Sequence, residues 1–176
     1  MKTLEQRLSE AIRTIPDFPK KGISFKDLQS LLCNHQLTRD VVLALATRVS
    51  EQGPVDAIIG LESRGFLFGT LLAYELNVPF VMVRKPGKLP PPVVAIRYEK
   101  EYGSDTLEIN QGILKPGTKV HIHDDLLATG GSLKAAIDLA RQCELEVSSV
   151  SCIIELEDLK GKDQLDDISI ISMVTF

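Results

Sequence analysis

Two spacings of apolar residues alternate along this chain: the three-to-four-residue recurrence of amphipathic helices, and short unbroken runs of the kind buried strands show. Leu4, Leu8, Ala11, Ile12 and Ile15 fall at helical spacing, which predicts a helix over 3–14 that Pro16 stops. Residues 17–32, with Pro19 and Gly22, read as a loop. Leu37, Val41, Val42, Leu45 and Val49 share one face of a second helix over 36–51, which Gly53-Pro54 ends. Ala57–Leu61 is a continuous apolar run and reads as a buried strand. Glu62-Ser63-Arg64-Gly65 leads from it into a helix over roughly 65–76, and Phe80–Arg84 is the next strand. Residues 85–105 hold four prolines and two glycines, with a strand over Val93–Tyr98 that Thr106–Ile109 can pair as a hairpin. Val120–Asp124 is a strand, 130–143 a helix, and Val147–Glu155 and Ile168–Val174 are the last two strands.

Strands alternating with helices predict an α/β fold, a mainly parallel central sheet flanked by helices and joined by right-handed crossovers. The chain has no repeat, linker or low-complexity tract, and 176 residues with 44% hydrophobic content suit a single domain spanning 1–176. No apolar run reaches membrane-spanning length, so no membrane association is expected. The start, Met-Lys-Thr-Leu-Glu-Gln-Arg, lacks the apolar centre of a signal peptide. Cys33, Cys143 and Cys152 are odd in number and lack CxxC spacing, which suggests neither a disulfide framework nor a zinc site. A cytoplasmic location fits. The net charge of −4 argues against a nucleic-acid surface. A phosphorylated ligand therefore needs locally concentrated cations, which Arg64 and the stretch Arg84-Lys85-Pro86-Gly87-Lys88 can supply.

The chemistry concentrates in residues 119–132. A strand runs into two adjacent carboxylates, Asp124 and Asp125, followed by a loop of small residues, Ala128, Thr129, Gly130, Gly131 and Ser132, and then a helix. Glycines let the backbone approach an anion closely, the first helical amides are unpaired, and the positive end of the helix dipole faces the loop. A phosphate fits there, and the two aspartates can hold vicinal hydroxyls of the sugar that carries it. A plain strand-to-helix turn explains Thr129 or Ser132 as caps, but not the two acids. No Gly-x-x-x-x-Gly-Lys and no Gly-x-Gly-x-x-Gly occurs. The segments 60–65, 84–88 and 124–132 each begin at the carboxyl end of a predicted strand, where open α/β sheets bind ligands. His121 and His123 share one face of their strand. A histidine pair invites a metal, but no third ligand is evident, so hydrogen-bonded structural histidines are the favoured reading.

The segment Asp-Asp-Leu-Leu-Ala-Thr-Gly-Gly resembles the 5-phosphoribosyl-1-diphosphate (PRPP) signature of the type I phosphoribosyltransferase family, most of all in its adenine phosphoribosyltransferase branch. The resemblance runs from about residue 3 to 175. It implies that family's fold, with a lid over about 85–105, and the reaction adenine plus PRPP to AMP plus diphosphate, a purine salvage step. It also implies Mg²⁺, bound mainly through PRPP with no dedicated protein site, and a homodimer. By resemblance Arg64, in Gly60-Leu61-Glu62-Ser63-Arg64-Gly65-Phe66, and Arg84 with Lys88 engage the diphosphate. Asp124, Asp125 and residues 128–132 hold ribose and its phosphate. Glu101, in Glu-Tyr-Gly, is the acid nearest the reacting base, and Tyr102 helps close the site. Asp124 and Asp125 join Glu101 as anionic groups that favour a ribosyl cation-like state. Phe18-Pro19 and Gly22–Asp27 resemble the base-binding loop, with adenine against Phe25, backbone groups near Ser24 and Lys26, and Leu126.

Several positions depart from the family pattern: Lys21 for proline, Lys26 for arginine, Pro91-Pro92 where glycine follows Pro90, His123 for an aliphatic residue, and Ser132 for threonine. Two other readings stay open. One is a phosphoribosyltransferase for hypoxanthine, guanine or xanthine. The other is a non-catalytic PRPP-sensing regulator, though the first 55 residues show no DNA-binding helix-turn-helix or basic face.

Overall fold

The computed structural model describes residues 2–99, 103–165 and 168–176. Helix α1 (Leu4–Ala11) opens with a capping box: Thr3 Oγ1 accepts from the Gln6 amide at 3.2 Å, and Gln6 Oε1 accepts from the Thr3 amide at 3.0 Å. It stops at Ala11 and not at residue 14. Arg13–Pro16 forms strand β1, antiparallel to β2 (Ser24–Asp27), with Ile15 opposite Phe25 and Arg13 gripping the Asp27 carboxylate at 3.2 and 2.5 Å. Pairing with a distant segment overrides the helical spacing of Ile12 and Ile15. The predicted loop 17–32 accordingly contains β2 and a single helical turn, α2 (Gln29–Leu32).

The remaining elements follow as α3 (His35–Glu51), β3 (Ala57–Leu61), α4 (Gly65–Leu76), β4 (Phe80–Val83), the hairpin β5 (Val93–Glu99) and β6 (Ser104–Asn110), β7 (Lys119–Leu127), α5 (Gly131–Gln142), β8 (Glu146–Glu155) and β9 (Ser169–Thr175). Five strands form one parallel sheet in the order β4-β3-β7-β8-β9, and β5 and β6 pair apart from it. Burial decides which face each residue serves. On β3, Ala57, Ile59 and Leu61 pack toward α5 and the hairpin, with Leu107, Ile109 and Ile137. Ile58 points the other way, into a cluster with Leu45 of α3 and Phe68 and Leu72 of α4. Among the described residues, no helix is long and apolar enough to cross a membrane.

β7 lies at the centre of the sheet, and α4 is drawn tightly onto it. A Cβ at Gly65 would lie 3.0 Å from both Asp124 Oδ1 and the His123 carbonyl oxygen, tighter than ordinary contact, so glycine lets the helix start close against β7 without displacing it. Beneath α4, His121 and His123 are fully buried. His121 bonds Ser149 Oγ through Nδ1 at 2.8 Å and Ser151 Oγ through Nε2 at 2.7 Å, while His123 Nδ1 meets Ser151 Oγ at 2.8 Å. His123 Nε2 has no partner among the described residues, and those residues contain no group of three or more His, Cys, Asp or Glu able to hold a metal. Serine hydroxyls of β8 thus hold the pair in place within the fold.

Burial lowers both imidazoles to about 3, so both are neutral in the folded protein. Unfolded histidine titrates near 6.5, so as pH falls from there toward 3 protons bind the unfolded chain in preference. Each buried histidine then removes about 1.4 kcal/mol of stability per pH unit, and contributes no pH dependence above that window. We predict that His123→Val, compared with the parent by urea unfolding between pH 6 and 4, gains stability relative to it by about 1.4 kcal/mol per pH unit. Parallel pH profiles would contradict the neutral, buried assignment.

Candidate active site

The carboxyl ends of β3 and β7 open on a cavity of about 320 Å³, walled by residues 62–64 on one side and 124–133 on the other. β7 continues through both aspartates to Leu127, beyond the predicted end at Asp124, because β8 stays paired with it through Leu126↔Ile154 and Leu127↔Glu155. The carboxylates therefore stand on rigid strand and not on the loop.

Beyond Leu127 the chain turns sharply into α5. Gly130, with φ of 86°, is the N-cap, and no side chain caps the helix. The helix thus presents its opening amides, and the positive end of its dipole, to the cavity. A Cβ on Gly130 would lie 2.4 Å from the Gly161 carbonyl oxygen, whereas one on Gly131 would meet only ordinary contacts, Glu99 O at 3.8 Å and Tyr98 Cδ2 at 3.9 Å. The first glycine is needed by the fold. The second keeps the cavity floor clear. Ser132 Oγ lies 3.3 Å from the Tyr98 hydroxyl, which brings the hairpin to the rim.

Asp124 retains surface open to the cavity although protein surrounds it, and its Oδ1 accepts from the Asp125 amide at 2.8 Å. Burial, and then the neighbouring Asp125 charge, push its carboxyl well above the usual carboxylate range. Asp125 is also raised by burial, against the pull of Arg64. Arg64 Nε stands 2.9 Å from Asp125 Oδ2, an ion pair whose angle leaves that oxygen without an aligned hydrogen bond. The Arg64 guanidinium also lies 5.2 Å from the Phe25 ring centroid, so one arginine joins the aspartates to the β1–β2 hairpin.

Sequence reasoning misses Glu62. Its buried carboxylate lines the cavity, precedes a cis Glu62–Ser63 peptide, and gathers the cations: Arg84 Nε donates to Oε2 at 3.1 Å, the Lys85 amide donates to the same oxygen at 3.1 Å, and Lys88 Nζ pairs with Oε1. Burial opposes ionisation of Glu62, but Lys88, the Lys85 amide and Arg84 together hold its carboxyl below the ordinary value. Arg84 and Lys88 are thus brought to the edge of the cavity, held by Glu62, and do not line it. A signal for Glu62 does exist in the chain, since it follows an apolar strand just as Asp124 does.

Of the residues expected to contact a base, Leu126 lines the cavity. Ser24, Phe25 and Lys26 lie on β2 outside it. Phe25 packs edge-on to Phe18 at 5.2 Å between centroids, and the Lys26 ammonium sits 3.8 Å from the Phe176 ring centroid while donating to Thr14 Oγ1 at 3.0 Å. Glu101 and Tyr102 lie outside the described residues.

Residues 28–175 match the phosphoribosyl transferase domain family. Adenine phosphoribosyltransferase of Clostridium perfringens is 46% identical over 96% of this chain and 98% of its own length, and that of Thermosynechococcus vestitus is 46% identical over 96% and 99%. The crystal structure of adenine phosphoribosyltransferase from Thermoanaerobacter pseudethanolicus superposes with a TM-score of 0.94 at 45% identity, covering 99% of this chain and all of that one. The Saccharomyces cerevisiae enzyme, complexed with an imino-altritol bisphosphate and adenine, gives 0.92 at 40% identity, covering 97% and 98%.

The two glycines of the loop should separate binding from stability. Gly131→Val should leave the melting temperature within a few degrees of the parent and weaken binding of a phosphate ester, read by calorimetry, by roughly tenfold or more. Gly130→Ala should lose at least about 1–2 kcal/mol of stability from its positive φ and the collision with Gly161. Unchanged phosphate binding in a folded Gly131→Val protein would contradict the cradle.

Proposed function

This chain belongs to the phosphoribosyltransferase family, in its adenine phosphoribosyltransferase branch, and we infer that it transfers the 5-phosphoribosyl group of PRPP to adenine, forming AMP and releasing diphosphate. The reaction serves purine salvage. The observation that carries this reading is the uncapped, glycine-built start of α5 beside the Asp124–Asp125 pair in one cavity.

The proposed division of labour follows from what each group can do. The loop amides and the hydroxyls of Thr129 and Ser132 hold the 5-phosphate, with Ala128, Gly130 and Gly131 keeping the approach open. Asp124 and Asp125 hold the ribose hydroxyls and place negative charge beside the carbon that becomes cation-like as its bond to diphosphate loosens. Arg64 orients Asp125 and faces the diphosphate. Arg84 and Lys88, positioned by Glu62, add the further positive charge this leaving group requires. Adenine lies against Leu126 and Phe25, with backbone groups near Ser24 and Lys26 reading its edge. Glu101 exchanges a proton with the purine ring, and Tyr102 covers the site against water.

Mg²⁺ is the cofactor this reading implies, and when bound it neutralises charge on the departing diphosphate. The residues fit an ion carried chiefly by PRPP oxygens. No cluster of three or more ligands exists among the described residues, and Asp124 is a half-open carboxylate whose ionisation a nearby cation would favour. Loss of AMP formation on chelation, restored by Mg²⁺, tests this.

Two further proposals concern the assembly and its location. α4 turns Leu67, Leu71 and Tyr74 outward, Tyr74 with 84% of its surface exposed, and Leu43 and Met82 add apolar area nearby. Such a patch suits a homodimer. Sedimentation of the protein at micromolar concentration should give a dimer, and a monomer at that concentration contradicts it. The thiols of Cys33, Cys143 and Cys152 are free, which suits the cytoplasm, and cell fractionation checks that location.

Purified protein should convert adenine far faster than hypoxanthine, guanine or xanthine, since a hydrogen-bond-reading site discriminates by factors of about 10⁴. Comparable rates would reassign the base. Glu101→Gln should lower kcat by roughly 10²–10⁴ while moving the KM for PRPP little. A kcat within about twofold of the parent would remove Glu101 from the chemistry.

A further inference from the structure

We infer that Gly161 and Lys162, on the turn after β8, are positioning residues that brace the phosphate loop from behind, through an ion pair to the buried Glu155. This rests on the reading of residues 128–132 as the cradle of the PRPP 5-phosphate.

The bracing contact is backbone against backbone. A Cβ on Gly161 would come 2.2 Å from the Ala128 carbonyl oxygen and 2.9 Å from the Gly130 amide nitrogen, and a Cβ on Gly130 would come 2.4 Å from the Gly161 carbonyl oxygen. Two glycines facing each other this closely leave no flexible side chain to absorb a change, so a shift in one segment is handed to the other. The contact itself is van der Waals packing. Its geometry must be set by whatever holds the 161–164 turn.

Two anchors do this. Leu165, only 2% exposed, packs into the same cluster as Leu127, Leu133 and Ile137 and fixes the far end of the turn. At the near end Lys162 Nζ reaches Glu155 Oε2 at 2.7 Å. Glu155 is the β8 residue paired with Leu127, the last β7 residue before the loop, and Ser172 Oγ donates to the same carboxylate oxygen at 2.5 Å. A carboxylate with 7% of its side chain exposed cannot sit there charged without such partners. The ion pair therefore ties the 161–164 turn to the end of β8, directly beside the β7 residue from which the loop leaves. None of Glu155, Gly161 and Lys162 lines the cavity, so their effect on substrate must pass through the loop backbone.

A group that only aims the phosphate cradle acts equally on ground state and transition state, so its loss appears in KM and not in kcat. Lys162→Met and Gly161→Ala should each raise the KM for PRPP by roughly tenfold or more, with kcat within about twofold and the adenine KM unmoved. Lys162→Arg should restore the parent value. A purely structural role predicts fewer folded molecules, hence a lower kcat at unchanged KM. A direct charge effect of Lys162 predicts no change in Gly161→Ala, which keeps every charge. If Gly161→Ala does not fold, the methionine and arginine variants decide. A PRPP KM within twofold of the parent in Lys162→Met, or an arginine variant as impaired as the methionine one, overturns the proposal. Titrating PRPP calorimetrically into the same proteins separates these outcomes without turnover. A parent that binds PRPP but makes no AMP from adenine would overturn the enzymatic reading while leaving the brace to be decided by those titrations.

Discussion

The start of α5 is left without a side-chain cap, and most of the geometry around the cavity follows from how the chain builds that bare turn. A helix N-terminus normally satisfies its first amides with a side chain, and here none does so. The turn that exposes them needs a positive φ at Gly130, and Gly130 in turn packs on Gly161 with no room for a Cβ on either. The same economy of space recurs at Gly65, where α4 meets β7 beside Asp124. Two close approaches, Gly130 against Gly161 and Gly65 against β7, thus converge on the carboxyl end of one central strand and leave its backbone and carboxylates uncrowded by side chains.

Charge is arranged around this backbone frame in two layers. Asp124 and Asp125 sit deepest, both raised by burial, with Arg64 offsetting part of that effect on Asp125. Glu62 forms the second layer, collecting Arg84, Lys88 and the Lys85 amide at the cavity edge. The chain as a whole carries a charge of −4, so a polyanionic substrate depends on this local gathering of cations. Holding arginine and lysine on a buried glutamate keeps them close at hand without burying them unpaired.

The sheet and the loop are legible in the sequence for a simple physical reason. Buried parallel strands are continuous apolar runs, and Ala57–Leu61 or Val147–Glu155 cannot be much else. The acid, hydroxyl and glycine pattern of 124–132 is equally specific. What stays hidden depends on partners distant in the chain. Ile12 and Ile15 keep helical spacing, yet Arg13–Pro16 becomes a strand because Ser24–Asp27 is there to pair with it. The reach of β7 to Leu127 depends on β8, and the roles of Glu62, Glu155 and Lys162 depend on which side chains the fold brings to them. His121 and His123 are legible as a pair, but only the structure supplies Ser149 and Ser151 as the groups that satisfy them.

Every role assigned around the cavity depends on phosphate sitting at the amides that open α5. Amide NMR of the labelled protein during titration with AMP tests this directly. The largest shifts should fall on Thr129, Gly130, Gly131, Ser132 and Leu133, with smaller ones at Arg64 and Asp125. Large shifts confined to the N-termini of α3 or α4, with the 129–133 amides unmoved at saturation, would contradict it.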